Sequence, residues 1–329
     1  MSEILSVEAA SVRLLSAESV LILTHVKPDG DAVGSVLGMQ SFLRSCGKRA
    51  EAYFPDPLPA AYGVFGEPGM DGDPQVRSGA WDLILLLDCA NPERAGVGPA
   101  GLELLRSYPV LNVDHHVDNR VEAAWSWVDA GAAAASLQAA ELALASGRPI
   151  PVPALECWLL GLVTDTGGFR FSNTDGRALR LAADLLDRGA DLEKVVNAVF
   201  YSKPRNRQEF EADLVRDCVK LAFDGLLAYA VVPPELFAKH GFDMRDGEGV
   251  IDLLREIAGV EIAALAYRKG GAYKLSLRSK DREYPVGPLA RSLGGGGHEL
   301  AAGATLELSD AAAVESLLLD RVGAMLNKR

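Results

Sequence analysis

Acidic and histidine side chains recur at four points of the sequence, each at the end of an apolar segment. The first point is THVKPDGDAVGS, residues 24–35, which places one histidine and two aspartates on a turn that also holds Pro and Gly. The complete candidate set is His25, Asp29, Asp31, Asp88, Asp114, His115, His116 and Asp165. Three of the five histidines of the chain belong to this set, which argues against a chance coincidence.

These residue types suit metal ions. Carboxylates and imidazoles together favour Mn²⁺, with Mg²⁺ and Zn²⁺ as alternatives. Even four of these aspartates and two of the histidines exceed the needs of one ion, and they fit two ions that share a bridging carboxylate. Two ions roughly 3.5–4 Å apart lower the pKa of a bridging water and stabilise the charge that develops on a phosphoryl group. The residues therefore indicate hydrolysis of a phosphoester or a phosphoanhydride.

Each position also has an ordinary structural interpretation. A single aspartate at the end of an element is commonly a helix cap or a turn residue, and this applies to Asp88 and Asp165. Asp29 and Asp31 in PDGD could be turn formers, and the adjacent histidine pair could lie in a solvated loop. The recurrence of the same residue types at four segment ends favours the metal site over these separate explanations.

Strands and helices alternate in the part of the chain that carries this set. The apolar run Ser19–Leu23 predicts a buried strand, and the segment after it has helical spacing. Further segments are predicted as the strands KRAEAYF, WDLILLLD and PVLNVD and the helix ALECWLLGLVTDT. This alternation favours an α/β fold with a mostly parallel sheet and helices on both faces. Such sheets bind ligands at the carboxyl ends of their strands, where the candidate set would meet.

A second pattern begins near residue 226, with a strand, a short helix, a hairpin that turns at Gly270 and Gly271, and a final helix. We therefore predict an N-terminal catalytic domain over residues 1–190, a helical connector over 191–224 and a smaller α/β domain over 225–329.

Composition limits the class of protein. The 329 residues are 49% hydrophobic and 24% charged, as is usual for globular domains, and the formal net charge of −12 argues against coating long nucleic acid by bulk charge. The four cysteines form no CxxC pair, so neither structural zinc nor a disulfide framework is expected. No basic leader and no run of ~18 apolar residues is present, which predicts a cytoplasmic protein with no membrane partner.

A run of four glycines, Gly294–Gly297, stands out in the second half. Glycines permit positive φ, so successive N–H groups can converge on an anion, and His298 adds a further donor. Arg278 could pair with a phosphate or stack on a base. The alternatives are a flexible linker for the glycine run and a solvated strand position for Arg278.

Several of these stretches resemble known signatures. THVKPDGDAVGS, LLLDCAN, VDHHVDN and GLVTDTGGFRF are similar to the four signature blocks of the DHH phosphoesterase superfamily. LGGGGHELAAGA, with SLRSK upstream, resembles the DHHA1 domain that follows it. The resemblance covers nearly the whole chain in the expected order. Length and the lack of extra domains make the chain similar to the short-oligonucleotide nucleases that also dephosphorylate 3′-phosphoadenosine 5′-phosphate (pAp), the nanoRNases.

The resemblance implies a role for each candidate residue. His25 and Asp29 would hold one Mn²⁺, and Asp88 would bridge it to the other. The second ion would be held by Asp31, His115 and Asp165. His116 would face the substrate phosphate as a hydrogen-bond donor or general acid, with Asp114 orienting the histidine pair. The far end of a short substrate would be bound by Arg278, Gly296, Gly297 and His298.

The activity that the resemblance implies is Mn²⁺-dependent release of mononucleotides from very short RNA, together with removal of the 3′-phosphate of pAp. It also allows a homodimer. A phosphodiesterase for cyclic dinucleotides or their linear products would use the same site and remains an alternative, as does a nucleotide-binding regulator without turnover. LGGGGH argues against the manganese pyrophosphatase branch, and the length and acidic balance argue against a RecJ-type exonuclease.

Overall fold

The computed structural model describes residues 3–68, 81–95, 98–242 and 249–327. The chain divides between Ser202 and Lys203 into two compact units, and each has its own sheet and core. The helices predicted in the connector fall on either side of this division. The domain boundaries given above remain a prediction.

The first unit contains a six-stranded sheet in which every pairing is parallel, in the order β1-β6-β5-β4-β2-β3. Its strands are β1 (Glu3–Ile4), β2 (Ser19–Leu23), β3 (Arg49–Ala52), β4 (Leu83–Leu87), β5 (Val110–Asp114) and β6 (Trp125–Val128). The sheet confirms the predicted α/β fold. β4 and β5 are buried along their whole length, because helices cover both faces of a parallel sheet.

Seven helices of this unit are described: α1 (Val7–Ser16), α2 (Gly30–Ser45), α3 (Gly98–Ser107), α4 (Ala135–Ala145), α5 (Val152–Asp165), α6 (Gly176–Asp187) and α7 (Leu192–Phe200). The larger core includes side chains of α1, α2, α4 and α5 packed on one face of the sheet. On the opposite face, Leu105 of α3 packs against a cluster that includes Leu21 and Ile84. The predicted coverage of both faces is therefore confirmed.

Helices α2 and α5 pack closely because glycines line their contact. Gly30, Gly34 and Gly38 are spaced by four residues and therefore share one face of α2. A Cβ atom at Gly30 would overlap the side chain of Thr164, and one at Gly38 would overlap Trp158. The start of α2 therefore lies against the end of α5, where Asp165 is the last helical residue.

The second unit contains a six-stranded sheet in the order β11-β12-β10-β9-β8-β7, in which only the β8–β9 pairing is parallel among the described strands. Its strands are β7 (Lys220–Ala222), β8 (Leu227–Val232), β9 (Ile262–Lys269), β10 (Ala272–Ser279), β11 (Gly296–Gly297) and β12 (Ala301–Leu306). Its helices are α8 (Arg205–Asp217), α9 (Pro234–Lys239), α10 (Ile251–Arg255), α11 (Val286–Ser292) and α12 (Ala311–Leu326). α11 and α12 cover one face, and α8, α9 and α10 cover the other.

Two further observations bear on the sequence predictions. All four cysteines are free. Among the described helices, none combines the length and apolarity that crossing a membrane requires.

Candidate metal centre

The structure brings all eight candidate residues together at the carboxyl ends of β2, β4 and β5. Ligand atoms lying within 4.8 Å of one another form three overlapping groups. The first ion group is His25, Asp29 and Asp88, and the second ion group is Asp31, His115 and Asp165. The third combines Asp88, Asp114, His115 and His116. Residues as far apart in sequence as 25 and 165 therefore meet at one edge of the sheet.

Asp88 lies at the centre of these groups. It follows β4 directly and has a left-handed φ of 53°, which aspartate tolerates better than most residues. Its Oδ2 lies 3.4 Å from Nε2 of His25, and its Oδ1 lies 3.5 Å from Nε2 of His115. Oδ1 is buried and has no hydrogen-bond partner among the residues that the structure describes. A buried carboxylate oxygen of this kind needs a compensating cation, so the site fits a bridged pair of ions.

Main-chain carbonyls orient both histidines. Nδ1 of His25 lies 2.8 Å from the carbonyl oxygen of Val26, and Nδ1 of His115 lies 3.4 Å from that of Ala132. When Nδ1 carries the proton and donates it to a carbonyl, Nε2 presents a lone pair. In both histidines this Nε2 faces Asp88, as a metal ligand must.

Asp29 and Asp31 each cap a helix as well as facing a histidine. Asp29 is the N-cap of α2 and accepts hydrogen bonds from the N–H groups of Asp31 and Ala32, both at 3.0 Å. Asp31 accepts from Ala135 at 2.6 Å and Ser136 at 2.8 Å, at the start of α4. Both aspartates therefore have a structural role at a helix start, rather than the turn-forming role considered above. This structural role does not exclude ligation, because each carboxylate oxygen has a second lone pair.

No pattern in the sequence indicates the contacts around Asp165. Nδ2 of Asn173 donates to the carbonyl oxygens of Ala133, at 2.9 Å, and Asp165, at 3.1 Å. The same nitrogen lies 3.4 Å from Oδ2 of the Asp165 carboxylate. Asn173 therefore joins the segment before α4 to the end of α5 and restrains the Asp165 side chain. The contact links distant segments, so no local pattern could predict it.

Asp114 supports the histidine pair through contacts at both of its oxygens. Its Oδ1 lies 2.8 Å from Nδ1 of His116, and its Oδ2 accepts a 2.6 Å hydrogen bond from Nδ2 of Asn119. These two contacts fix the buried carboxylate against His116, so it is placed to orient that ring. Nε2 of His116 points away from this hydrogen bond, on the other side of the ring.

The charges of the site depend strongly on one another. Burial opposes ionisation of Asp88, but the imidazoles of His115 and His25 outweigh it and hold its pKa well below the ordinary value. Burial and the charge of Asp88 raise the pKa of Asp31 to about 7. Burial alone would lower the pKa of His25, yet the Asp88 carboxylate outweighs it and raises that pKa to about 9. These carboxylates need nearby positive charge, which protons or divalent cations can supply.

Three of the predicted substrate residues of the second unit lie on β10 and β11, the two strands that flank β12. Arg278 of β10 is opposite Ala301 of β12, and Gly297 of β11 is opposite Ala302. Nη1 of Arg278 donates to the carbonyl of Leu277 at 3.0 Å. The glycine run is therefore partly an edge strand, in which Gly296 is exposed and Gly297 has a φ of 124°. His298 is exposed just beyond it, and substrate binding by these residues stays a prediction.

Comparison with protein families identifies the class of protein. Residues 19–162 match the family model described as "DHH family, N-terminal domain", and residues 224–327 match the DHHA1 domain. The chain belongs to the DHH family, which confirms the resemblance found in the sequence.

Relatives in two bacteria are similar over most of the chain. It is 32% identical to the bifunctional oligoribonuclease and PAP phosphatase NrnA of Thermus thermophilus, over 88% of this chain and 84% of that one. It is 27% identical to the protein of the same name in Bacillus subtilis, over 90% and 92% of the two chains. The fold resembles the crystal structure of an exopolyphosphatase-related protein from Bacteroides fragilis, with a TM-score of 0.82, 22% identity and 96% of each chain covered.

Proposed function

We propose that this protein is a metal-dependent phosphoesterase that hydrolyses short oligoribonucleotides to 5′-mononucleotides and removes the 3′-phosphate of pAp. The observation that carries the proposal is the position of Asp88, whose two oxygens face two different histidines in two ligand groups. The names of the relatives in Thermus thermophilus and Bacillus subtilis give the substrates. Short RNA and pAp are accordingly its proposed partners.

The ligand groups support the assignment made from the family resemblance. His25 and Asp29 hold one ion, and Asp88 is shared with the second. The second ion is held by Asp31, His115 and Asp165. Mn²⁺ is the proposed metal, because oxygen and imidazole ligands without thiolates suit it. When bound, the two ions supply an activated water and stabilise charge on the phosphoryl group.

The remaining residues of the site orient a proton donor. Asp114 fixes Nδ1 of His116, and Asn119 in turn holds Asp114. Burial opposes protonation of His116, but the Asp114 carboxylate outweighs burial and raises its pKa. In the protonated ring, Nε2 is then available to donate a hydrogen bond to a phosphoryl oxygen or a proton to the leaving oxygen. We assign binding of the far end of the substrate to Arg278, Gly296, Gly297 and His298. A homodimer stays a prediction that the mass in solution tests.

The proposal is tested by incubating the purified protein with Mn²⁺ and, in parallel, a 5′-labelled RNA dinucleotide, a long RNA, pAp and cyclic di-AMP. Rapid release of mononucleotide and AMP with the long RNA nearly intact supports it. Turnover of cyclic di-AMP alone would show that the proposed substrates are wrong and would leave the proposed metal centre unchanged. Reactions with Mg²⁺, with Zn²⁺ and with a chelator identify the metal. No hydrolysis of any substrate with any ion would contradict the proposal.

A further inference from the structure

Arg94 occupies a fixed place beside the first ion group. It belongs to a short 3₁₀ helix, Pro92–Ala95, that follows Asp88 closely in sequence. Its carbonyl oxygen accepts a 2.6 Å hydrogen bond from the N–H of Val26, and its own N–H donates to the carbonyl of Asn91 at 2.9 Å. The main chain of Arg94 is therefore tied to the turn that carries His25.

The guanidinium of Arg94 faces a metal ligand without finding an acceptor. Its Nη2 lies 3.4 Å from Nδ1 of His25. That Nδ1 already faces the carbonyl of Val26 as a donor, so the arginine, which can only donate, makes no productive hydrogen bond there. Within the described part of the chain, no carboxylate pairs with this guanidinium, whereas the nearby Glu93 pairs with Arg120 at 3.3 Å.

The first ion group is also the more open one. Asp29 is the most exposed side chain of the first ion group, at 64%, whereas Asp165 is the most exposed of the second, at 30%. Arg94 is itself exposed. A ligand arriving from solvent therefore reaches the first ion group and the guanidinium together. An exposed arginine is commonly just solvated, but few are held by the main chain against a ligand of a metal centre.

We propose that Arg94 binds a phosphoryl oxygen of the substrate beside the first ion group, an inference that rests on the proposed function. A guanidinium presents a planar fork of N–H donors that matches two oxygens of one phosphate. Inorganic phosphate, the phosphomonoester of pAp and the phosphodiester of a dinucleotide share this chemistry. The aspartates around the site repel an anion, so the guanidinium adds to the attraction of the bound ions.

The test compares Arg94→Ala, Arg94→Gln and Arg94→Lys with the control Arg120→Ala, which removes a neighbouring arginine that pairs with Glu93. Measurements are kcat and KM for pAp and for a dinucleotide, inhibition by inorganic phosphate, and bound Mn²⁺ by mass spectrometry. We expect kcat/KM to fall about 10-fold to 100-fold in the Ala and Gln variants, as for loss of a charge-assisted hydrogen-bonded pair. The Arg94→Lys variant should recover part of kcat/KM, because lysine keeps the positive charge but lacks the planar fork of N–H donors. The Arg94 variants should bind as much Mn²⁺ as the wild type. The Arg120→Ala control should have the kcat/KM of the wild type.

Two results would overturn the inference. Unchanged kcat/KM and phosphate inhibition in both Arg94→Ala and Arg94→Gln would remove Arg94 from substrate binding. Loss of bound Mn²⁺ in these variants would show that Arg94 acts through His25 instead. If the wild type hydrolyses neither substrate, the proposed function fails on its own. Binding of inorganic phosphate to the Mn²⁺-loaded wild type and Arg94→Gln proteins then still tests the contact.

Discussion

The two ion groups are built differently although Asp88 faces a histidine of each. In the second ion group, main-chain N–H groups of α4 hold Asp31, and Asn173 restrains Asp165. In the first ion group, Asp29 is exposed and caps only its own helix. The second ion group is therefore part of the folded framework, and the first is the side open to ligands. This difference predicts that remote substitutions affect the second ion group selectively.

The largest effect is expected where the two groups meet. Asp88→Ala removes the carboxylate that faces a histidine of each ion group, so hydrolysis should fall to background and both ions should be lost. Activity and bound Mn²⁺ are measured together, with circular dichroism to confirm the fold. Retention of one ion at wild-type affinity would show that the groups are independent.

A smaller effect is expected from a residue outside both groups. His116→Ala should lower kcat on the order of 10²–10⁴-fold, the usual contribution of a positioned proton donor, with both ions retained. Steady-state kinetics and metal analysis check this result. If bound Mn²⁺ falls as well, His116 is a ligand, as the third group of ligand atoms would permit.

Asn173→Ala should lower the metal affinity of one ion group and leave that of the other unchanged. Loss of an amide that restrains a ligand commonly costs about 10-fold to 100-fold in metal affinity, and here the loss should fall on the second ion alone. Calorimetric titration with Mn²⁺ should resolve one unchanged and one weakened site. Thr174→Val is the matched control, because that hydroxyl has no hydrogen-bond partner among the described residues. Equal weakening of both sites would contradict the comparison.

The smallest effect should come from helix packing. A Cβ atom at Gly34 would overlap the main-chain oxygen of Cys157, so Gly34→Ala must push α2 from α5 and cost about 1–3 kcal/mol of unfolding free energy. Denaturant unfolding measures this cost, and Mn²⁺ titration should show weaker binding in the second ion group. Gly63→Ala, where a Cβ would meet nothing within 4 Å, should change neither. Wild-type stability in Gly34→Ala would show that the helix contact adapts.

Much of this architecture could be predicted because its signals are local. Apolar runs such as LILLL in β4 form buried strands regardless of context, and a parallel sheet then collects their carboxyl ends at one edge. This reasoning places the candidate ligand Asp88 at that edge, whereas the candidate ligand Asp165 ends a helix, as its segment predicted. The site could be predicted because acidic and histidine side chains recur at several segment ends.

The rest could not be predicted because it depends on contacts between distant segments. β1 has two residues and β6 is only partly buried, so neither shows a clear strand pattern. The hydrogen bonds of Asp31 to α4 and of Asn173 to Ala133 join segments that share no local pattern. The glycine run indicates an anion-binding segment, with a flexible linker as the alternative, yet its last two residues pair with β12 as a strand.

The capping of α4 by Asp31 couples ion binding to the folding of the first unit. The hydrogen bond from Ala135 to Asp31 spans 104 residues of sequence, so the complete second ion group exists only when both segments have docked. An ion that binds there selects the folded chain over the unfolded one. The thermal midpoint of the first unit therefore becomes a readout of free divalent metal, rising as the concentration exceeds the dissociation constant.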